Sequence, residues 1–385
     1  MSKPLDGILV ADFSHVMAGP YASHLLGLMG AEVIKIESVE GDAFRSYGAD
    51  ERLGGMSPAF IAANAGKKSI ALDLKDPSDR DIARRIVDRA DVLLENFRPG
   101  VIERLGFAYA QVCQSNPDIV FCSVSGYGQD GPYRDWPAID NIVQATSGMM
   151  MLSGGDGDPP MRVGFPIVDT LTGQTAAIAI LSALFRRANG GGGSFIDVSM
   201  LDASLAFMTS ALTPFLATGT PMPRSGNTGY SGLPTAAMFT ARDGREISLG
   251  VVQPKQFAAL ARHLGREDWL DDPRFATGAA QRENFDAFHD EVAREILRRD
   301  AVEWERGMSA EGIPCGMVRR VDEAIDLARP GAMIPVALSP DGHANRVDIP
   351  GPGFRLSPDI GSAGGPPPRL DQHRQEILDW LDTPA

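Results

Sequence analysis

The amino-acid sequence predicts an α/β fold, with a large Rossmann-like domain around a mostly parallel sheet and a smaller α+β domain. Three observations carry this expectation. From Gly7 to Gly128, short apolar runs alternate with helical patterns, the order that builds parallel strands covered by helices on both faces. The chain has 385 residues, more than one ordinary core holds, so two domains are expected. Near residue 220 the texture changes: "TGTPMPRSGNTGYSGLPT" is rich in Pro, Gly and Ser and reads as a linker.

The elements follow in order. Gly7–Phe13 ("GILVADF") reads as a buried strand, and "AGPYASHLLGLMGA" as a helix entered through Gly19 and Pro20. Glu32–Glu37 ("EVIKIE") is the second strand and completes a βαβ opening. "SIALDL" is strand-like, and "DPSDRDIARRIVDRA" is a helix with Pro77 in its first turn. "DVLLENF" is a strand, "GVIERLG" a short helix, and "DIVFCSVSGYG" a strand ending in a Gly-rich turn. After Thr172 the run is apolar on all sides (Ala176, Ile178, Ile180, Leu181, Leu184, Phe185), the pattern of a fully buried helix. Gly190–Gly193 end that helix and precede a strand; a phosphate cradle has the opposite order, so these glycines read as a turn. Beyond the linker, strand-like "AAMFTA" and "EISLGVV" flank the turn "RDG", and amphipathic helices follow near 254–264 and 281–299. The smaller domain is placed at 226–325. The tail "PGPGFRLSPDIGSAGGPPPRL" reads as irregular, and "HRQEILDWL" as a closing helix; no internal repeat is present.

Composition excludes several classes. A 43% hydrophobic content with mixed charge fits a globular protein, and a net charge of −14 argues against nucleic acid or an anionic membrane as partner. Cys113, Cys122 and Cys315 are sparse and odd in number, which suits a reducing cytoplasm. The start "MSKPLDGILVADF" lacks the pattern of a signal peptide, and the apolar stretches read as too short to span a membrane. The six histidines are scattered, so no metal site is expected.

"NAGKKS" (Asn64–Ser69) resembles the end of a P-loop, but Ile61 stands where the first glycine belongs. GxGxxG is also missing from the first βαβ unit, so no dinucleotide fingerprint accompanies the pattern. Lys67, Lys68, Lys75, Arg98 and Arg104 gather near predicted strand ends, where open α/β sheets bind ligands. Asp169 heads the long apolar run. It can cap the helix that follows, or it can be a nucleophile whose charge the helix N-terminus favours.

Ordered motifs then span nearly the whole chain: "KPLDGILVADFSHVMAGP", "GAEVIKIE…GD", "KKSIALDLK", "DVLLENFRPGVIERLG", "SVSGYGQDGP", "VDTLTG", "GGSFIDVSMLDA" and "GIPCGMV". In these the sequence resembles the family III CoA-transferases, the CaiB/BaiF group. The resemblance implies a large CoA-binding domain built from both chain ends (1–225 and 326–385), the small domain between, and an interlocked homodimer. It also implies chemistry. Asp169 would attack an acyl-CoA thioester, giving an aspartyl anhydride and then an aspartyl-CoA thioester, from which CoA passes to a carboxylic acid. Acyl-CoA and a small acid are the expected partners, with no permanently bound cofactor.

Further roles are implied by position. His15, Met17 and Ala18 would line the acyl site, with Asp140 near the thioester. Ser38, Leu72, Asp73, Leu74, Lys75, Asn96, Phe97, Arg98, Arg104, Ala138 and Ile139 fall on CoA-binding positions, with Lys75 and Arg104 as phosphate ligands. There are departures from the formyl-CoA members. Ser38 replaces an arginine, Pro137 a lysine and Ile139 a tyrosine, and a shorter Gly226–Pro234 stands where those enzymes have a glycine-rich flap. These changes predict an acceptor larger than oxalate, with His15 as a partner for a second carboxylate. Two rival readings remain. A racemase of the α-methylacyl-CoA type needs an acid/base pair, and its histidine is replaced here by Ile139. A non-catalytic CoA-binding protein would have no need of Asp169.

Overall fold

The computed structural model describes residues 3–338, 346–357 and 365–383. Contacts divide the chain into two compact units, one of Met1–Met150, Arg162–Thr220 and Arg329–Ala385, the other of Met151–Met161 and Pro221–Ala328.

The first unit is built on β1 (Leu9–Asp12), α1 (Ala18–Leu28), β2 (Glu32–Glu37), α2 (Pro58–Asn64), β3 (Lys68–Ala71), α3 (Pro77–Arg89) and β4 (Val92–Glu95). It continues through α4 (Val101–Arg104), α5 (Tyr109–Ser115), β5 (Val120–Ser125), α6 (Asp140–Thr146), α7 (Ile167–Arg186), β6 (Ser194–Ser199), α8 (Met200–Phe207) and α9 (Thr209–Thr218). The six strands form one sheet in the order β3-β2-β1-β4-β5-β6, with every pairing parallel. Central strands buried on both faces explain the unbroken apolar runs. Side chains alternate between two cores: Val10, Val92, Leu94 and Val120 face α1 and α7, while Ala11, Leu93 and Phe121 face α3 and α5. The topology reverses between β1 and β4. In open α/β sheets the crevice at the C-terminal ends of such strands is where ligands sit.

α3 is a local decision of the sequence. Asp76 accepts the N–H groups of Ser78 and Asp79, Pro77 holds the first turn, and Ala83, Ile86 and Val87 supply the buried stripe.

The second unit carries an antiparallel sheet of β7 (Met238–Thr240), β8 (Glu246–Leu249) and β9 (Cys315–Met317), around the turn at Gly244. α10 (Pro254–Leu264), α11 (Gly278–Glu283), α12 (Phe285–Ile296) and α13 (Ala301–Ala310) enclose a core of Trp269, Phe288 and Trp304. Residues 151–161 group with this unit, although the sequence reading assigned them to the large domain. Arg224 draws them in: its Nε donates to the Ser153 carbonyl and its Nη2 to the Pro159 carbonyl, each at 3.0 Å.

After a short helix, α14 (Val321–Ala324), the chain returns to the first unit as a hairpin of β10 (Met333–Ala337) and β11 (Arg346–Pro350) and as α15 (Arg374–Asp382). Within the tail expected to be irregular, 358–364 lies outside the described residues.

Two expectations need correction. α7 is not buried all round, because Ile178 and Phe185 are 65% and 73% exposed on a face this chain leaves uncovered. Nor are all apolar stretches short of a membrane span: Ile167–Ala188 is long and apolar enough, with half of that window buried inside the protein. The sequence reading missed α2, α5, α6, α8, α9, α13, α14, β9 and the β10–β11 hairpin.

Candidate active site

The site grows from the exits of β1 and β4. At the end of β1, buried Asp12 accepts the Ser14 N–H at 2.9 Å, the Ser14 hydroxyl, the Ser23 hydroxyl at 2.6 Å and Lys67 Nζ at 3.0 Å. Burial opposes its charge, but Lys67, Lys35 and the two hydroxyls outweigh burial and hold its carboxyl at about 2. Lys35, fully buried, donates to the Ser14 carbonyl at 2.7 Å and pairs with Asp42 at 3.0 Å. Asp42 in turn accepts the Val16 N–H on both oxygens, at 3.2 and 3.1 Å. Val16 has φ +67°, an uncommon conformation for a β-branched residue and costly by roughly 1–3 kcal/mol. The Lys35–Asp42 pair therefore fixes the loop that presents His15, Met17 and Ala18.

From β4, Asn96 clamps the same loop. Its Oδ1 accepts the His15 N–H at 2.9 Å and its Nδ2 donates to the His15 carbonyl at 2.8 Å. The His15 ring lies 5.3 Å from that of Phe97, and burial lowers its pKa despite Asp42, so the imidazole is neutral at neutral pH.

Asp169 comes from α7. Gly173, one turn further on, allows α7 to approach α1: a Cβ there would sit 2.7 Å from the Ala18 carbonyl oxygen. Asp169 is the third residue of α7, not its cap. That role belongs to Asp140, whose Oδ2 accepts the N–H groups of Val168 at 2.7 Å and Asp169 at 3.2 Å. Asp140 Oδ1 takes Gln144 Nε2 at 2.6 Å, and Gln144 Oε1 takes the Val163 N–H at 2.9 Å. The Asp169 carboxyl has no hydrogen-bond partner among the described residues. Burial, reinforced by the Asp140 charge, pushes it up to about 7, against the lowered value expected at a helix N-terminus.

Two cavities open here. A cleft of about 580 Å³ is lined by Ser38, Leu72, Asp73, Leu74 and Lys75, together with Glu37, Asp42, His15 and Phe97. A smaller pocket of about 180 Å³ holds Asp169, Asp140, Met17, Ala18 and Arg134, and shares His15 and Phe97 with the cleft. Asn96, Arg98, Ala138 and Ile139 line this smaller pocket and not the cleft. Arg104 lines neither; it is exposed, one residue before Leu105, which does line the cleft. Lys67 and Lys68 are already engaged, Lys67 with Asp12, Pro20 and Asn64, and Lys68 with Glu32 and Glu376. Sequence reasoning missed Lys35, Asp42, Gln144 and Arg134. Lys35 and Asp42 stand in the quoted "GAEVIKIE…GD" motif, the only signal that marked them.

The sequence profile of CoA-transferase family III matches residues 5–374. The chain belongs to this family. It is 39% identical to the acetyl-CoA:oxalate CoA-transferase of Acetobacter aceti over 331 residues, 86% of this chain and 84% of that one. With the succinyl-CoA:glutarate CoA-transferase of Mus musculus it shares 32% identity over 377 residues, 98% and 86% of the two chains. Its fold matches the crystal structure of a CaiB/BaiF family protein from Brucella suis with a TM-score of 0.86 and 29% identity, covering 99% and 100% of the chains. The protein is thus a family III CoA-transferase, and CoA thioesters are its substrates.

Proposed function

We propose that the protein moves CoA from an acyl-CoA donor to a dicarboxylic acid longer than oxalate, with Asp169 as the covalent nucleophile. The observation that carries this is one half-buried carboxylate, without a hydrogen bond among the described residues, in a small pocket that shares His15 and Phe97 with the larger cleft. CoA occupies the larger cleft, along Ser38 and Leu72–Lys75, with Lys75 toward its phosphates. Ionised Asp169 attacks the thioester carbonyl; the C–S bond breaks, CoA leaves as thiolate, and a mixed anhydride remains. The thiolate attacks the aspartyl carbonyl, releases the donor acid and forms an aspartyl-CoA thioester. The acceptor carboxylate attacks that carbonyl and expels the thiolate again. Attack of the thiolate on the acceptor's carbonyl then yields the new acyl-CoA and frees Asp169.

Each attack places negative charge on a carbonyl oxygen. α1 has no side-chain cap, and the N–H groups of Ala18 and Gly19 in its first turn have no intrahelical acceptor. Met17 and Ala18, at that end, line the Asp169 pocket, so these donors support the oxyanion. A carboxyl near 7 keeps a usable ionised fraction while remaining basic enough to attack. A racemase reading lacks its base, since the Ile139 side chain has no group that can accept or donate a proton.

The acetic-acid-bacterial relative is named for oxalate and the mouse one for glutarate, and both acids carry two carboxylates. Exposed Ile178 and Phe185 on α7, with Phe207 and Leu216 nearby in sequence, support a homodimer that covers them. The three free thiols fit a cytoplasmic location.

The test is trapping. Incubation with acetyl-CoA or succinyl-CoA followed by hydroxylamine should leave a hydroxamate on Asp169, read by peptide mass spectrometry. A label on another residue, or a tenth or more of wild-type turnover in Asp169→Ala, would end the assignment.

A further inference from the structure

We infer that Arg134 is the specificity residue of this enzyme, receiving the distal carboxylate of a dicarboxylic acid acceptor while its near carboxylate faces Asp169. The inference rests on the covalent reading above and names the group that selects the acid. Arg134 lines the same small pocket as Asp169. Among the described residues its buried Nε has no hydrogen-bond partner; Asp135 makes only a loose ion pair with it, at 3.8 Å, beyond hydrogen-bond distance. Other half-buried arginines have their guanidinium groups engaged: Arg45 with Glu37 at 2.6 Å, Arg187 with Asp91 at 2.7 Å, Arg319 with Glu305 at 2.5 Å and Arg89 with the Trp380 carbonyl at 2.9 Å. A buried donor left open is rare in folded proteins and points to an acceptor that comes from outside.

The charge of the pocket requires such a group. Asp169 and Asp140 both line it, so an approaching dianion meets two carboxyl groups. His15 is neutral there, because burial lowers its pKa, and it brings no charge to offset them. That leaves Arg98 and Arg134 as the cations of the lining. Arg98 also lines only the small pocket, but it is exposed to solvent. Arg134 is the half-buried one of the two. It is held on a loop between Tyr133 and Trp136, whose rings pack at 57° to each other with centroids 4.6 Å apart, and Trp136 is itself part of the pocket wall. A guanidinium fork fits a carboxylate through two parallel hydrogen bonds, which a lysine or histidine cannot reproduce.

The experiment compares wild type, Arg134→Gln and Arg134→Lys with acetyl-CoA as donor, so that the donor carries no second carboxylate. Acceptors are glutarate and pentanoate, equal in length and differing in one carboxylate. Arg134→Gln should lower kcat/KM for glutarate about ten- to hundredfold, the weight of one charge-assisted hydrogen bond, mainly through KM. Arg134→Lys should fall between, and pentanoate should change by less than about threefold. Circular dichroism spectra should match in all three proteins, which reports that the variants are folded, while hydroxylamine trapping with acetyl-CoA alone reads the Asp169 adduct in wild type. Equal losses for the two acids, or no loss for glutarate, overturn the role of Arg134 while the adduct stands. Absence of any Asp169 adduct in wild type overturns the covalent reading itself, and the assignment of Arg134 with it.

Discussion

Asp169 should destabilise the fold it serves, and its replacement should reveal this as a function of pH. Burial and the Asp140 charge raise the carboxyl from 3.8 to about 7. At about 1.36 kcal/mol per unit, the ionised form is disfavoured in the folded state by about 4 kcal/mol as an upper figure. The sign follows from the direction of the shift. A folded-state pKa above the unfolded value means that the native state holds the proton more tightly. The favourable contribution is complete below about pH 4 and is lost as pH rises through 7. Asparagine does not titrate, so Asp169→Asn escapes the loss. Thermal melts of wild type and Asp169→Asn at pH 4.5 and pH 8 measure it. The variant should gain on wild type by several degrees in Tm between those values. A gap in Tm that stays constant across the two pH values would refute the argument, because it would mean that Asp169 ionises in the fold as readily as in the unfolded chain.

Asp140→Asn should move the acid limb of kcat/KM for acyl-CoA to lower pH, since removing the neighbouring charge makes Asp169 easier to ionise; a limb that stays near pH 7 would assign the whole shift to burial. Gly173→Ala puts a Cβ within 2.7 Å of the Ala18 carbonyl oxygen and should force α7 from α1. It is expected to cost about 1–3 kcal/mol in denaturant titrations together with a loss of kcat, and wild-type values of both would contradict the packing described here.

The sheet was legible because parallel strands buried on both faces leave continuous apolar runs, and Glu32–Glu37 appears in the structure with the bounds read from sequence. The exits of β1 and β4 were legible as motifs but not as a clamp. The bonds from Asn96 to His15 join residues 81 apart, and those from Asp42 to Val16 join residues 26 apart. No local pattern carries such distances. Lys67 was misread for a physical reason as well. Lysines are mostly exposed, and only the assembled Asp12 pocket, with Asn64 and the Pro20 carbonyl, has enough acceptors to bury one. α7 was misjudged because an apolar face reads the same whether it meets its own core or is left open, as at Ile178 and Phe185.

The expectation for the Asp169 carboxyl failed in sign, and the structure supplies the reason. A helix N-terminus stabilises a carboxylate in two ways, through its dipole and through the unsatisfied N–H groups of the first turn. In α7 the N–H groups of Val168 and Asp169 are taken by Asp140, a residue 28 and 29 positions away in sequence. Asp169 is left with the dipole alone, typically about 0.3–1 kcal/mol and at most about 2. Against this stand burial and the Asp140 charge, which together disfavour the ionised carboxyl by about 4 kcal/mol. The larger effect wins. Asp140 thus acts twice through one side chain: it caps the helix that carries the nucleophile, and it denies the nucleophile the cap. A carboxylate so deprived is held near 7, basic and without a hydrogen bond among the described residues, which is the state in which attack on a thioester disrupts no existing contact.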